Sequence, residues 1–209
     1  MTRFKQFQAL AGIVVLAACS THAQTRTIPM LEDQNDLEFV GQFQNSLTTS
    51  EQYGYVSRIE GLDNIFSGTP QNETTALFTF VTHANTDRVI GNGPERIVNR
   101  TGTTTIYLNT GPSDFSNPAS FSQGIPIQVS TYRQQAVLNT NVLTFITTHM
   151  NTITETHPFW LDGVYYRLGH RDDTFRTSYL GVTTAATLPN TGWFGGNAVG
   201  AGILFRREF

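Results

Sequence analysis

The side chains of this sequence best placed to do chemistry are four histidines, one glutamate and one arginine. His83, His149, His157 and His170 stand in the body of the chain, with His22 near its start. Imidazole holds zinc or copper when three or four such ligands converge. The segment Thr82-His83-Ala84-Asn85-Thr86 echoes Thr148-His149-Met150-Asn151-Thr152 at a spacing of 66 residues, each after a phenylalanine-bearing run. Were those runs neighbouring strands, His83 and His149 would meet, with Glu155 or His157 as a third ligand. No close His-x-His spacing fixes any two of them together. Histidines satisfied at strand ends are therefore the expectation. No metal or other cofactor is assigned, and His83 and His149 stand as the candidate pair.

Acid–base chemistry in an apolar cavity needs a carboxylate or a cation pointing inward. Glu60, in Arg58-Ile59-Glu60-Gly61, ends a run among apolar neighbours and is the candidate acid. Arg133, in Thr131-Tyr132-Arg133-Gln134-Gln135, is the candidate interior cation. A solvated strand-end acid and an arginine paired across the surface account for the same two residues. Other chemistries lack their residues. No Gly-x-Ser-x-Gly elbow occurs. Lys5 is the only lysine, so the body of the chain has no ε-amine for a Schiff base. Gly195-Gly196 and Gly200-x-Gly202 lack the lysine of a phosphate-cradling loop.

The elements that must position these groups read as β. Threonine is abundant, aromatic and branched residues alternate with polar ones, and turn residues recur. Strands are expected at Tyr53–Glu60, Thr75–His83, Arg88–Ile90, Arg96–Asn99, Thr103–Thr110, Ile125–Val137 and Val142–Thr156. Further strands are expected at Pro158–Leu161, Val164–Leu168, Thr174–Gly181 and Ala198–Arg206. Asp162-Gly163 supplies the positive-φ pair of a two-residue hairpin, with Trp160 facing Tyr165 across it. Asn92-Gly93-Pro94 and Arg100-Thr101-Gly102 read as reversals, and 112–124 as an ordered loop with Phe115 and Phe121 tucked in. No run keeps the apolar period of a long amphipathic helix. Leu77 and Val81 fall on one strand face and Phe78 and Phe80 on the other. The expected fold is a single antiparallel β-barrel, with a β-sandwich as the alternative.

Val89-Ile90-Gly91-Asn92-Gly93-Pro94, followed by a strand, the Gly102 turn and Thr103–Leu108, resembles the central hairpins of allene oxide cyclase and dirigent-type barrels. That resemblance implies a barrel and carries no catalytic residue over. An enzyme of the cyclase or isomerase sort is accordingly kept as an alternative.

The N-terminus speaks to location. Arg3 and Lys5 precede an apolar run, Ala9 to Ala18, too short to span a bilayer. It closes on Leu16-Ala17-Ala18-Cys19, which resembles the lipobox of bacterial lipoprotein precursors. That resemblance implies lipidation of Cys19, the sole cysteine, and an anchor in the bacterial cell envelope. Cleavage after Ala23, giving a periplasmic or secreted protein, is the alternative. The expected organisation is a signal at 1–18, Cys19 and a polar tether over 19–36, and one β domain at 37–209.

Without the signal, 11 basic side chains face 16 acidic ones, a net charge of −5. That balance argues against nucleic acid and against polybasic membrane attachment. The terminal Phe209 resembles the closing strand of outer-membrane barrels, yet alternation gives Arg207 the position between Phe209 and Phe205. The leading expectation is a cell-envelope barrel that binds a small apolar ligand or a protein partner, with a small outer-membrane barrel as a second alternative.

Overall fold

Alternating threonine, aromatic and branched residues drive this chain into strands. The computed structural model describes residues 36–200 together with the strands at 25–27 and 203–206. In chain order the strands are β1 (Thr25–Thr27), β2 (Leu37–Asn45), β3 (Thr49–Ile59), β4 (Phe78–Asn92), β5 (Glu95–Leu108) and β6 (Ile125–Asn139). There follow β7 (Thr144–Thr156), β8 (Phe159–Leu161), β9 (Val164–Leu168), β10 (Thr174–Thr183), β11 (Asn190–Val199) and β12 (Ile203–Arg206).

Eight of them close into an antiparallel barrel, in the order β10-β11-β2-β3-β4-β5-β6-β7. Neighbours in the wall follow one another along the chain, except that β11 pairs with β2 and that β8 and β9 intervene between β7 and β10. Those two join β1 and β12 in a side sheet ordered β1-β12-β9-β8. Closure leaves the barrel no unpaired edge. Bulges at Ser57, Asp87, Ile127 and Thr154 bend the wall, each an extra residue against the partner strand.

Strand parity then sorts the side chains. Along β6, Ser130, Tyr132, Gln134, Ala136 and Leu138 are buried while Thr131, Arg133 and Gln135 are exposed. One end of the barrel is filled with apolar side chains. Phe78, Ile59, Ile127 and Ile153 pack there with Phe159 of β8 and Leu168 of β9. The 109–124 loop lies on the outside, where Thr79 Oγ1 donates to the Phe121 carbonyl at 2.7 Å. Phe121 is fully buried, and Phe115 meets Trp193 at 4.6 Å between ring centroids.

The Asp162-Gly163 hairpin forms with φ of 49° and 78°, and Trp160 pairs with Tyr165 at a 4.4 Å ring separation. Several expectations are corrected. Arg88–Ile90 and Arg96–Asn99 belong to the long strands β4 and β5, which meet at the Gly93 turn. Arg100-Thr101-Gly102 is mid-strand, not a reversal: a Cβ on Gly102 would lie 2.7 Å from Tyr132 Oη, so the glycine makes room for that ring. Strands β2 and β11 are additional to the expected set. Their inward glycines hide the apolar alternation, because neighbouring rings cover them; Phe43 Cζ would be 2.6 Å from a Cβ on Gly192. Within Ala198–Arg206, Ala198–Val199 end β11 and Ile203–Arg206 form β12.

Candidate functional site

The parity that buries Tyr132 also turns a set of polar groups into the barrel. Read as one strand, β5 places Arg96, Val98 and Arg100 on the inward face. On β6 and β7 the same face carries Gln134, Thr147 and His149. Arg96, Val98, Arg100, Gln134 and Thr147 line a cavity of about 120 Å³. Phe43, Phe145, Phe194, Leu138 and Leu188 give it an apolar wall. A second cavity of about 60 Å³ lies deeper, beside Phe39, Phe80, His149 and Asn151. Gln52, Tyr179 and Phe194 border both.

Tyr179 is the hub of the layer between the cavities. Its hydroxyl donates to Gln52 Oε1 at 3.1 Å and accepts from Gln134 Nε2 at 3.3 Å. With that proton committed, His149 Nε2, 3.0 Å away, is the donor and its ring the Nε2–H tautomer. The imidazole stacks on Tyr132.

Burial fixes the protonation of these groups. Desolvation, with the Arg100 charge adding to it, pushes the His149 pKa down to about 3, so the ring is neutral near pH 7. Burial pushes Tyr179 up to about 12, against its hydrogen bond to Gln52. Burial, followed by the neighbouring Tyr179, raises Tyr132 as well. Desolvation lowers Arg100, but a guanidinium keeps its proton at neutral pH. The interior thus holds neutral rings around a charged arginine. Arg100 is only 7% exposed, and its Nε donates to Thr86 Oγ1 at 3.3 Å. Among the described residues no carboxylate lies within ion-pair distance of it.

Four buried polar atoms of the cavity lining have no hydrogen-bond partner: Asn45 Oδ1, Ser50 Oγ, Gln134 Oε1 and Thr147 Oγ1. Such atoms ordinarily find water or a ligand. Asn45 Nδ2 donates to Asn190 Oδ1 at 2.8 Å. Those two residues and Ser50 are shared with an open polar groove of about 880 Å³. The β4–β5 hairpin reaches over this end, where Arg96 Nη1 donates to the Ala186 carbonyl.

The residues singled out in the sequence lie mostly elsewhere. Glu60 sits in the turn after β3, paired with Arg58, and lines neither cavity. Arg133 is exposed on the outer wall; the interior cation is Arg100, whose register partner is Gln134, the next residue after Arg133. His83 is on the outside, its side chain 67% exposed, with Nδ1 3.1 Å from Glu51 Oε1. His149 is inside and 4% exposed. Strands β4 and β7 are separated by β5 and β6, so the two histidines do not meet. Glu155 and His157 are exposed, 3.9 Å apart. No group of three metal-ligating side chains occurs among the described residues. Cys19 lies outside the described residues. Arg100, Tyr132 and Tyr179 are not singled out by sequence, although parity along one uninterrupted β5 turns Arg100 to the same side as Ile106. Compared with family models, curated proteins and solved structures, the chain shows no significant match to any.

Proposed function

We propose that this chain is an exported binding protein whose barrel encloses a small, largely apolar ligand. The observation that carries this reading is the inner cavity, with phenylalanine and leucine walls and four buried polar atoms that lack partners. A few convergent polar groups in an apolar enclosure are the usual make-up of a small-molecule site. The wall supports a barrel that meets water. On β2, β3, β4 and β6, Gln42, Gln44, Glu51, His83, Arg133 and Gln135 face outward while Phe39, Phe43 and Phe80 face inward, the reverse of a lipid-embedded barrel over that part of the wall.

Native mass spectrometry of the purified chain tests the reading through a co-purifying small molecule, alongside melting with a probe panel. A ligand at a hundredfold its Kd adds about 2.7 kcal/mol, which raises Tm by roughly 5–11 °C in a chain of this size. A barrel that carries nothing and melts unchanged with every probe overturns it. The location rests on the N-terminal sequence alone, and Cys19→Ser is its test: the variant should leave the membrane fraction or stay unprocessed.

A protein partner on the outer wall is a second reading. It is favoured by an exposed apolar strip across β7, β10 and β11, formed by Ile146, Leu180, Val182 and Trp193.

A further inference from the structure

We infer that the inner cavity takes a small monocarboxylate, its head held by Arg100 and its apolar body against Phe43, Phe145 and Phe194. This inference rests on the ligand-binding reading and adds the chemical class of the ligand.

The first support is charge. Arg96 and Arg100 line the cavity, and no aspartate or glutamate does. Two positive charges thus face one cavity in a chain whose formal net charge is −3. A cation taken out of water without a counter-charge is costly. The titratable groups around Arg100 offer none. Tyr132 and Tyr179 are held protonated by burial, and His149 is neutral and donates its Nε2 proton to Tyr179. An anion in the cavity supplies what the wall lacks.

The second support is geometry. The planar fork of a guanidinium accepts a carboxylate on two parallel hydrogen bonds. Arg100 Nε is spent on Thr86, and no hydrogen bond from its two terminal nitrogens to a described residue is found. Ser50 Oγ, unpartnered on the same lining, is a further donor. Gln134 Oε1 and Asn45 Oδ1 accept, which suits a ligand bearing a hydroxyl beside its acid. The phenylalanine walls disfavour a bare inorganic anion. A volume of about 120 Å³ suits a single ring or a short chain rather than a long-chain lipid.

Titration calorimetry on the full chain tests this with matched pairs: benzoate against benzamide, and hexanoate against hexanamide. Within a pair the shape is kept and the charge removed. The acids should bind at least about tenfold more tightly than their amides, the value of one charge-assisted hydrogen bond. Arg100→Met should abolish that preference. Should the amides bind as well as the acids, the carboxylate inference is overturned and the cavity reading stands. Binding of none of the four overturns the carboxylate inference, and the ligand-binding reading falls with it if nothing co-purifies with the chain. The acid–amide comparison needs only the unaltered protein, so it decides the matter however well Arg100→Met folds.

Discussion

The imidazole of His149 lies flat on the ring of Tyr132, their centroids 4.2 Å apart and their planes 8° from parallel. Its Nε2 reaches Tyr179 on the other side. A neutral ring suits this enclosure and a charged one does not, which is why the folded pKa falls from 6.5 to about 3. Below about pH 6.5 the unfolded chain takes up a proton that the folded barrel refuses, so stability falls as the pH falls. The whole effect is on the order of 5 kcal/mol, and about 2–3 kcal/mol is gone by about pH 4.5. Urea midpoints from pH 7 to 4.5 should therefore slope downward in the native chain and much less in His149→Gln. His149 is the only ionisable group that differs between the two proteins, so the difference in slope reports on it. Equal slopes would show that folding does not depress the His149 pKa.

Arg100 is the counterpart of that neutral ring, a buried charge with no acid beside it. Methionine fills a similar volume without the desolvation cost. Replacing buried charges by apolar side chains of like size stabilises by about 1–4 kcal/mol in favourable cases. Arg100→Met should raise the urea midpoint of ligand-free protein with the m-value unchanged. A lower midpoint would mean that the guanidinium is already compensated in the empty barrel. Stability and binding then trade against each other at one residue, as sites built for a ligand commonly do.

The β8–β9 hairpin is the most legible element in the sequence because its turn chemistry is local. Gly163 has φ of 78°, where an added Cβ is strained and nothing else crowds it. Gly163→Ala should cost about 1 kcal/mol, visible as faster amide exchange in Phe159–Leu168 with the barrel strands unaffected. Loss of protection across the barrel as well would mean that the strain at the turn is relayed into the wall through the core contacts of Phe159 and Leu168.

The β class and the barrel are readable from composition and alternation, and most strands fall within a few residues of their expected positions. The site is not, for two physical reasons. A glycine inside a strand looks like a turn, so Gly102 divides β5 on paper and severs Arg100 from the parity of Ile106. Similarity in sequence also says nothing of facing. Thr82-His83 and Thr148-His149 repeat the same letters, yet Thr82 is buried with His83 exposed, while His149 is buried and Thr148 half-buried. A shift of one residue exchanges inside and outside throughout a strand. The same rule separates exposed Arg133 from buried Gln134.

Gly102 joins the fold to the site, so its replacement should disturb both. A Cβ there would fall 2.4 Å from the His83 carbonyl oxygen and 2.7 Å from Tyr132 Oη. The first contact is backbone of the adjacent strand and cannot swing aside. The second is a buried ring already stacked on His149. Gly102→Ala must therefore spread the β4–β5 pairing or displace Tyr132, and overpacking of this kind costs about 1–3 kcal/mol. Gly68 is the control, since a Cβ there meets nothing within 4 Å. Gly68→Ala should stay within about 0.5 kcal/mol of the native chain. The ring resonances of His149 should shift in Gly102→Ala and stay put in Gly68→Ala, because the Tyr132 ring current moves in the first alone. Equal stability and unmoved His149 resonances in both variants would mean that the wall yields at Gly102 without disturbing the interior.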